Sequence, residues 1–248
     1  MKRVQEKLRE LLAPRVASRW IGLLPATEAI GNVAPKLRLI ERAPDLETLC
    51  DYLAELRYAL MFRALGFDVE ANPLGGKGPD FRVGRNGKES VLKCTRFRRV
   101  HCGPLGLDLL DPRPTLLEYG DSARDTEKAF SKIIGKFPQI DGFESLVAVW
   151  NDDGDLEEFE VGEAIGHIRA DAAAGRCRIP RGLQAIVYSS PWSDVATGKQ
   201  VFCFDLALAA PPISEWLVEL RRLGVDEALA YAASQSARPF AGAEGDAR

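Results

Sequence analysis

The chain reads as an α/β protein in which a mixed β-sheet is sandwiched by helices, and three observations carry that reading. Leu46, Leu49, Cys50, Leu53, Leu56 and Leu60 recur at spacings of three and four behind Asp45, the pattern of a capped amphipathic helix. Two short apolar runs then flank Arg85-Asn86-Gly87-Lys88, a strong hairpin signal because Asn-Gly accepts positive φ at both central positions. Beyond the hairpin, helical patterns alternate with apolar strand runs, which is how helices come to cover a sheet.

Taken in order, residues 2–13 place Val4, Leu8, Leu11 and Leu12 on one helical face. Residues 15–44, flanked and broken by Pro14, Pro25, Pro35 and Pro44, read as short helical pieces joined by turns. The Asp45 helix runs to about residue 64 and ends at Gly66. Phe67-Asp68-Val69-Glu70 alternates like a strand, residues 72–78 form a Gly/Pro turn, and strands follow over 80–84 and 90–97. Pro104 to Pro114 is a loop. A helix over 122–137 stops at Pro138, and 145–150 is a buried strand. After a turn at 151–155 come a helix over 163–174, strands over 184–189 and 201–208, and a closing helix over 213–233. Trp216, Leu217, Leu220, Leu223 and Leu229 give that last helix its apolar stripe. The expected organisation is a helical extension over 1–44, an α/β core over 45–210, a helix packed on the core over 211–237, and a disordered tail over 238–248.

The 248 residues, 46% apolar and 28% charged, suit a globular fold of this size. A formal net charge of -3 argues against coating nucleic acid through overall charge, although it permits a local basic face. Seven basic residues lie between Arg82 and Arg99 against Glu89 alone, whereas seven acids and no bases lie between Asp152 and Glu163. Five scattered cysteines without a CxxC pair favour reduced thiols in a cytoplasm over disulfides or a zinc site. No apolar run approaches the roughly 20 residues that span a bilayer, so no membrane partner is expected.

The chemistry concentrates on the hairpin. Period-two alternation puts Glu89, Val91 and Lys93 on one face of the second strand. A turn centred on Asn86-Gly87 sets Asp80 opposite Lys93, so that the two are cross-strand neighbours about 5 Å apart at Cβ. A lysine among Val91, Leu92 and Cys94 needs an anionic partner, because an unpaired ammonium on a buried strand is costly. Such a pair is either a structural ion pair or a catalytic one.

Glu55 in a helix, Gly78-Pro79-Asp80 at a strand start, and Val91-Leu92-Lys93-Cys94-Thr95 together resemble the PD-(D/E)xK nuclease superfamily, with its restriction-endonuclease-like fold. Lys132-Ile133-Ile134-Gly135-Lys136-Phe137-Pro138-Gln139 is similar to the Lys-rich, Gln-ending helix behind that motif, and strand 145–150 fits as well. The resemblance spans roughly residues 45–150. It implies that Asp80 and Glu55 hold Mg²⁺ with the backbone carbonyl of Leu92, and that Lys93 orients the attacking water. The implied substrate is DNA, in defence or repair, and the family leaves room for a homodimer. Hard oxygen ligands suit Mg²⁺, which activates water and neutralises charge on a phosphate. The departure is Val91, where the family places a carboxylate and where a valine cannot coordinate a cation. Glu89, two residues back and about 6.6 Å along the strand, is the substitute on the same face. Two readings stay open: a metal-dependent nuclease, or a degenerate nuclease fold that binds nucleic acid or a protein.

For nucleic acid, the candidates are Arg96 and Arg98 at the strand end, the Lys128, Lys132 and Lys136 stripe, and Gln139. A solvated helix face is the commoner explanation of such a stripe, with phosphate contact the alternative. Gly75-Gly76-Lys77-Gly78 lacks the spacing of a phosphate loop, and His167 has no evident triad partner.

Overall fold

The turn chemistry of the hairpin sets the sheet. In the computed structural model Asn86 and Gly87 take φ of 56° and 75°, as the Asn-Gly turn requires. The structure describes residues 1–72, 74, 78–97, 122–151, 158–189, 201–205 and 213–222. Arg98, the Gly75–Lys77 turn, the Pro104–Pro114 loop, most of the 151–155 turn and the 238–248 tail lie outside them.

In chain order the elements are α1 (Lys2–Leu11), α2 (Pro14–Thr27), α3 (Ala34–Glu41), α4 (Leu46–Ala64), β1 (Asp68–Ala71), β2 (Phe81–Arg85) and β3 (Lys88–Phe97). There follow α5 (Ser122–Ile134), a 3-10 turn at Phe137–Gln139, β4 (Ser145–Asn151), α6 (Glu158–Ala173), β5 (Leu183–Ser189), β6 (Val201–Asp205) and α7 (Ile213–Arg222). The strands form one six-stranded sheet in sequence order. The β1-β2-β3 meander is antiparallel, β3-β4-β5 are parallel, and β6 returns antiparallel to β5. The sheet is therefore mixed, as the alternation of hairpin and helical crossovers predicts.

Apolar residues split between two faces. One core gathers α1, α2, α3, α4 and α7 against Phe81, Val83, Leu92, Leu146, Ala148 and Val187. The other packs α5 and α6 against Val91, Phe97, Val147, Val149 and Ile186. Helix α4 is anchored across the sheet: Tyr58 donates its hydroxyl to the Val149 carbonyl at 2.7 Å, and the Arg57 guanidinium stacks 4.1 Å from the Trp150 ring centre.

Residues 1–44 are part of the first core rather than an appendage. Val4, Leu8, Val16, Trp20, Leu24 and Ile40 are all buried in it. Gly31 also extends the sheet: its N–H donates to Val69 O at 2.8 Å, and its carbonyl accepts the Ala71 N–H at 2.8 Å. Two further differences from the sequence reading concern boundaries. Residues 14–27 form one continuous helix: Pro14 occupies the first turn, where its missing N–H is not needed, and Pro25 lies inside the helix near its end, where it forgoes the hydrogen bond to the Ile21 carbonyl without ending the helix. Helix α6 starts at Glu158, five residues before the expected position, with Glu158 and Glu160 in a first turn that favours acids.

The closing helix is held by Trp216 against Phe67, ring centres 4.7 Å apart, and by a two-pronged ion pair from Arg85 to Glu219 at 2.7 and 2.8 Å. Among the described residues no helix is long and apolar enough to cross a membrane. Cys50, Cys94 and Cys177 are free thiols.

Candidate functional site

The hairpin register pairs Phe81 with Leu92 and Arg85 with Lys88. Asp80 therefore stands one step before β2, opposite Lys93, as the turn position predicts. Its N–H donates to the Leu92 carbonyl at 2.9 Å, which extends the ladder by one bond. Lys93 Nζ donates to Asp80 Oδ1 at 3.1 Å and to the Gly78 carbonyl at 3.2 Å. The second carboxylate oxygen, Oδ2, accepts the backbone N–H of Cys94 at 2.8 Å. Asp80 is 5% exposed, so these contacts replace the water it lost.

A third charged side chain, absent from the sequence reading, completes the group. Lys36, on the short helix α3 and only 4% exposed, donates to Asp80 Oδ1 at 3.2 Å and also to Glu55 Oε2 on α4. Its ammonium lies 5.4 Å from the Phe81 ring centre. Glu55, Lys36, Asp80 and Lys93 thus form one continuous chain of opposite charges, two acids and two bases, with a formal sum of zero. A signal for Lys36 was present in the sequence. It occupies the apolar stripe of α3 with Val33, Leu37 and Ile40, at the three and four spacing where a solvated lysine does not belong.

The electrostatics follow from burial. Desolvation, with the Asp80 charge next, pushes the Glu55 carboxyl up to about 7, and Lys36 opposes that rise. Burial pulls the Lys36 ammonium down, but Glu55 and Asp80 together outweigh it and leave its pKa raised. Burial, reinforced by Asp80 and Glu55, also drives the Cys94 thiol well above its ordinary value, so it is an inert group and not a nucleophile.

The residues present do not fit a Mg²⁺ centre in this arrangement. The space between Glu55 and Asp80 is bridged by the Lys36 ammonium, and Asp80 already accepts from two lysines and one backbone N–H. The Val91 side chain offers no oxygen. Glu89 does not substitute for it: its side chain is 64% exposed, on the Arg82 ion pair at 3.8 Å. The Leu92 carbonyl is engaged by the Asp80 N–H. Among the described residues no three His, Cys, Asp or Glu side chains converge as a metal ligand set. A divalent ion added to a group that already sums to zero would leave two uncompensated positive charges in a buried space.

The expected nucleic-acid residues are largely engaged inside the protein. Arg96 is turned inward: one guanidinium nitrogen donates to the Glu47 carbonyl at 3.0 Å, to the Glu47 carboxylate at 3.3 Å and to Asp51 at 3.0 Å, all on α4. Lys128 donates to Asp125 at 3.2 Å, and Lys132 to the Arg96 carbonyl at 2.7 Å. Both ammoniums lie 6.0 Å from the Phe97 ring centre, beside the end of β3. Lys136 and Gln139 are partly exposed farther along, at and just before the 3-10 turn. Compared with family models, curated proteins and solved structures, the chain matches none.

Proposed function

We propose that this chain is a nucleic-acid-binding protein on a restriction-endonuclease-like fold whose cleavage centre is closed. One observation carries the reading: the Lys36 ammonium occupies the seat between Glu55 and Asp80, so the two acids are neutralised by the chain itself. The resemblance of residues 45–150 to the PD-(D/E)xK pattern supplies the nucleic-acid part of the reading. Lys136, partly exposed beyond the Phe97 end of β3, supplies positive charge of the kind that a phosphate backbone attracts.

The test is a paired assay on the full chain with linear DNA, single-stranded DNA and RNA in Mg²⁺ and in Mn²⁺. The expected result is a mobility shift that weakens with salt, with every substrate left intact. Absence of binding to all three polymers overturns the proposal. A second reading, a metal-dependent endonuclease acting on DNA, is favoured by the Asp80–Lys93 contact at 3.1 Å. Metal-dependent cleavage that disappears in both Asp80→Ala and Lys93→Ala establishes that reading in place of the first.

A further inference from the structure

We infer that Lys36 is an intramolecular substitute for a divalent cation, and that Glu55 with Asp80 becomes a divalent-cation site once that ammonium is removed. The inference stands on the geometry of four side chains and holds whether or not the protein binds nucleic acid.

Two carboxylates on different elements, Glu55 on α4 and Asp80 ahead of β2, turn an oxygen each toward one point, and that point holds Lys36 Nζ. Like charges this close and this buried repel unless a cation lies between them. An ammonium and a hard metal ion answer the same need. Metal–oxygen distances of about 2.0–2.6 Å are a modest contraction from the 3.2 Å contact that Asp80 makes with Lys36. The difference lies in the rest of the balance. Lys93 holds the same Asp80 oxygen at 3.1 Å and remains when Lys36 is gone. With both acids ionised, the two lysines bring the group to zero; with Lys93 alone it sums to one negative charge, and an arriving metal ion displaces the Glu55 proton as it takes the seat.

The position of Lys36 is built rather than incidental. Helix α3 follows the Gly31 bridge, whose two backbone hydrogen bonds fix it to the edge strand β1. Ile40, one turn beyond Lys36 on the same face, is fully buried in the core shared with α4. The lysine stem is thereby enclosed, and its ammonium is delivered past Phe81 to the two acids. A lysine on a solvated helix face would swing away from an arriving metal ion; this one has nowhere else to place its charge.

Isothermal titration calorimetry with Mn²⁺ and with Mg²⁺ tests the inference on the unaltered chain, on Lys36→Met and on Lys36→Met/Glu55→Gln. Methionine keeps the stem volume and removes the charge. The unaltered chain is expected to show no saturable heat at millimolar metal. Lys36→Met is expected to bind Mn²⁺ at least about a hundredfold more tightly than the unaltered chain, because a unit charge is removed from the contact distance in a low dielectric. The double variant is expected to lose that gain. Should Lys36→Met fail to fold in metal-free buffer, recovery of its circular dichroism on adding Mn²⁺ supports the inference, and no recovery overturns it. Tight Mn²⁺ binding by the unaltered chain, or binding by Lys36→Met that survives the loss of Glu55, also overturns it. None of these outcomes depends on a nucleic-acid shift, so failure here and failure of the functional proposal are read separately.

Discussion

Replacing Glu55 with glutamine isolates the electrostatic consequence of burying a carboxylate among other charges. The folded protein holds the Glu55 proton up to about 7, whereas an unfolded chain releases it near the ordinary 4.5. Between those two pH values the folded state binds more protons than the unfolded one, so stability falls as pH rises through the window and levels above it. The sign is opposite to that of a surface acid in a salt bridge, because desolvation and the neighbouring Asp80 outweigh the pull of Lys36. At about 1.4 kcal/mol for each tenfold change in proton affinity, the full step is worth about 3 kcal/mol. For a chain of this length that corresponds to roughly 6–12 °C in Tm. Urea denaturation of the unaltered protein and Glu55→Gln at pH 4, 5, 6, 7 and 8 measures it. The unaltered protein is expected to lose about 3 kcal/mol relative to Glu55→Gln between the acidic and the neutral end. A stability difference that stays level across the range, or grows in favour of the unaltered protein as pH rises, refutes the account of Glu55 as a carboxyl raised by burial.

Two further expectations concern the framework around the site. Asp80→Ala leaves the buried Lys36 with Glu55 alone, takes the carboxylate from the part-buried Lys93 and removes the acceptor of the Cys94 N–H, so it is expected to destabilise by about 3–5 kcal/mol. Asp80→Asn, which keeps an oxygen for the Cys94 N–H, should lose less, and denaturation curves in which the two variants coincide would contradict the role given to that backbone contact. Gly182→Ala would set its Cβ 1.9 Å from the Phe143 carbonyl oxygen, backbone against backbone, just before β5. A loss of about 3 kcal/mol is expected by thermal unfolding, and an unchanged Tm would mean that this close approach is not maintained.

How much of this was legible in the sequence depends on how local the deciding physics is. The β2–β3 hairpin was fully readable, because Asn86 and Gly87 fix the turn and the turn fixes which residue faces which; Asp80 meets Lys93 as a direct consequence. Helix α4 was readable from Asp45, whose side chain accepts the Thr48 N–H at 2.7 Å. The start of α6 was misplaced because the acids from Glu157 onward look like a continuation of the turn, although acids are what a helix N-terminus favours and the stripe already begins at Val161. Arg96, expected at an exposed strand end, is turned inward by the alternation of β3. It shares a face with Leu92 and Cys94, both buried against α4, so its charge had to find acids there, and Glu47 and Asp51 supply them. The identity of those partners, 45 and 49 residues away, is a property of the packing and not of any window of sequence.

The first 44 residues show the same limit at larger scale, and they also tie fold to site. Periodicity announces helices there but cannot say what their stripes cover; a free-standing helical extension and an integral layer have the same pattern. The difference is made by Trp20, Leu24 and Ile40, which lie in one core with Leu56, Phe81 and Trp150, and by Gly31, which lengthens the sheet beyond β1. Once that segment is a layer of the fold, its one buried lysine is fixed within reach of Glu55 and Asp80. The charge balance of the site is therefore set by Lys36, which lies just outside the 45–150 region read for the nuclease pattern. A motif read over that region alone finds two acids and one lysine and infers a missing cation. The folded chain brings its own.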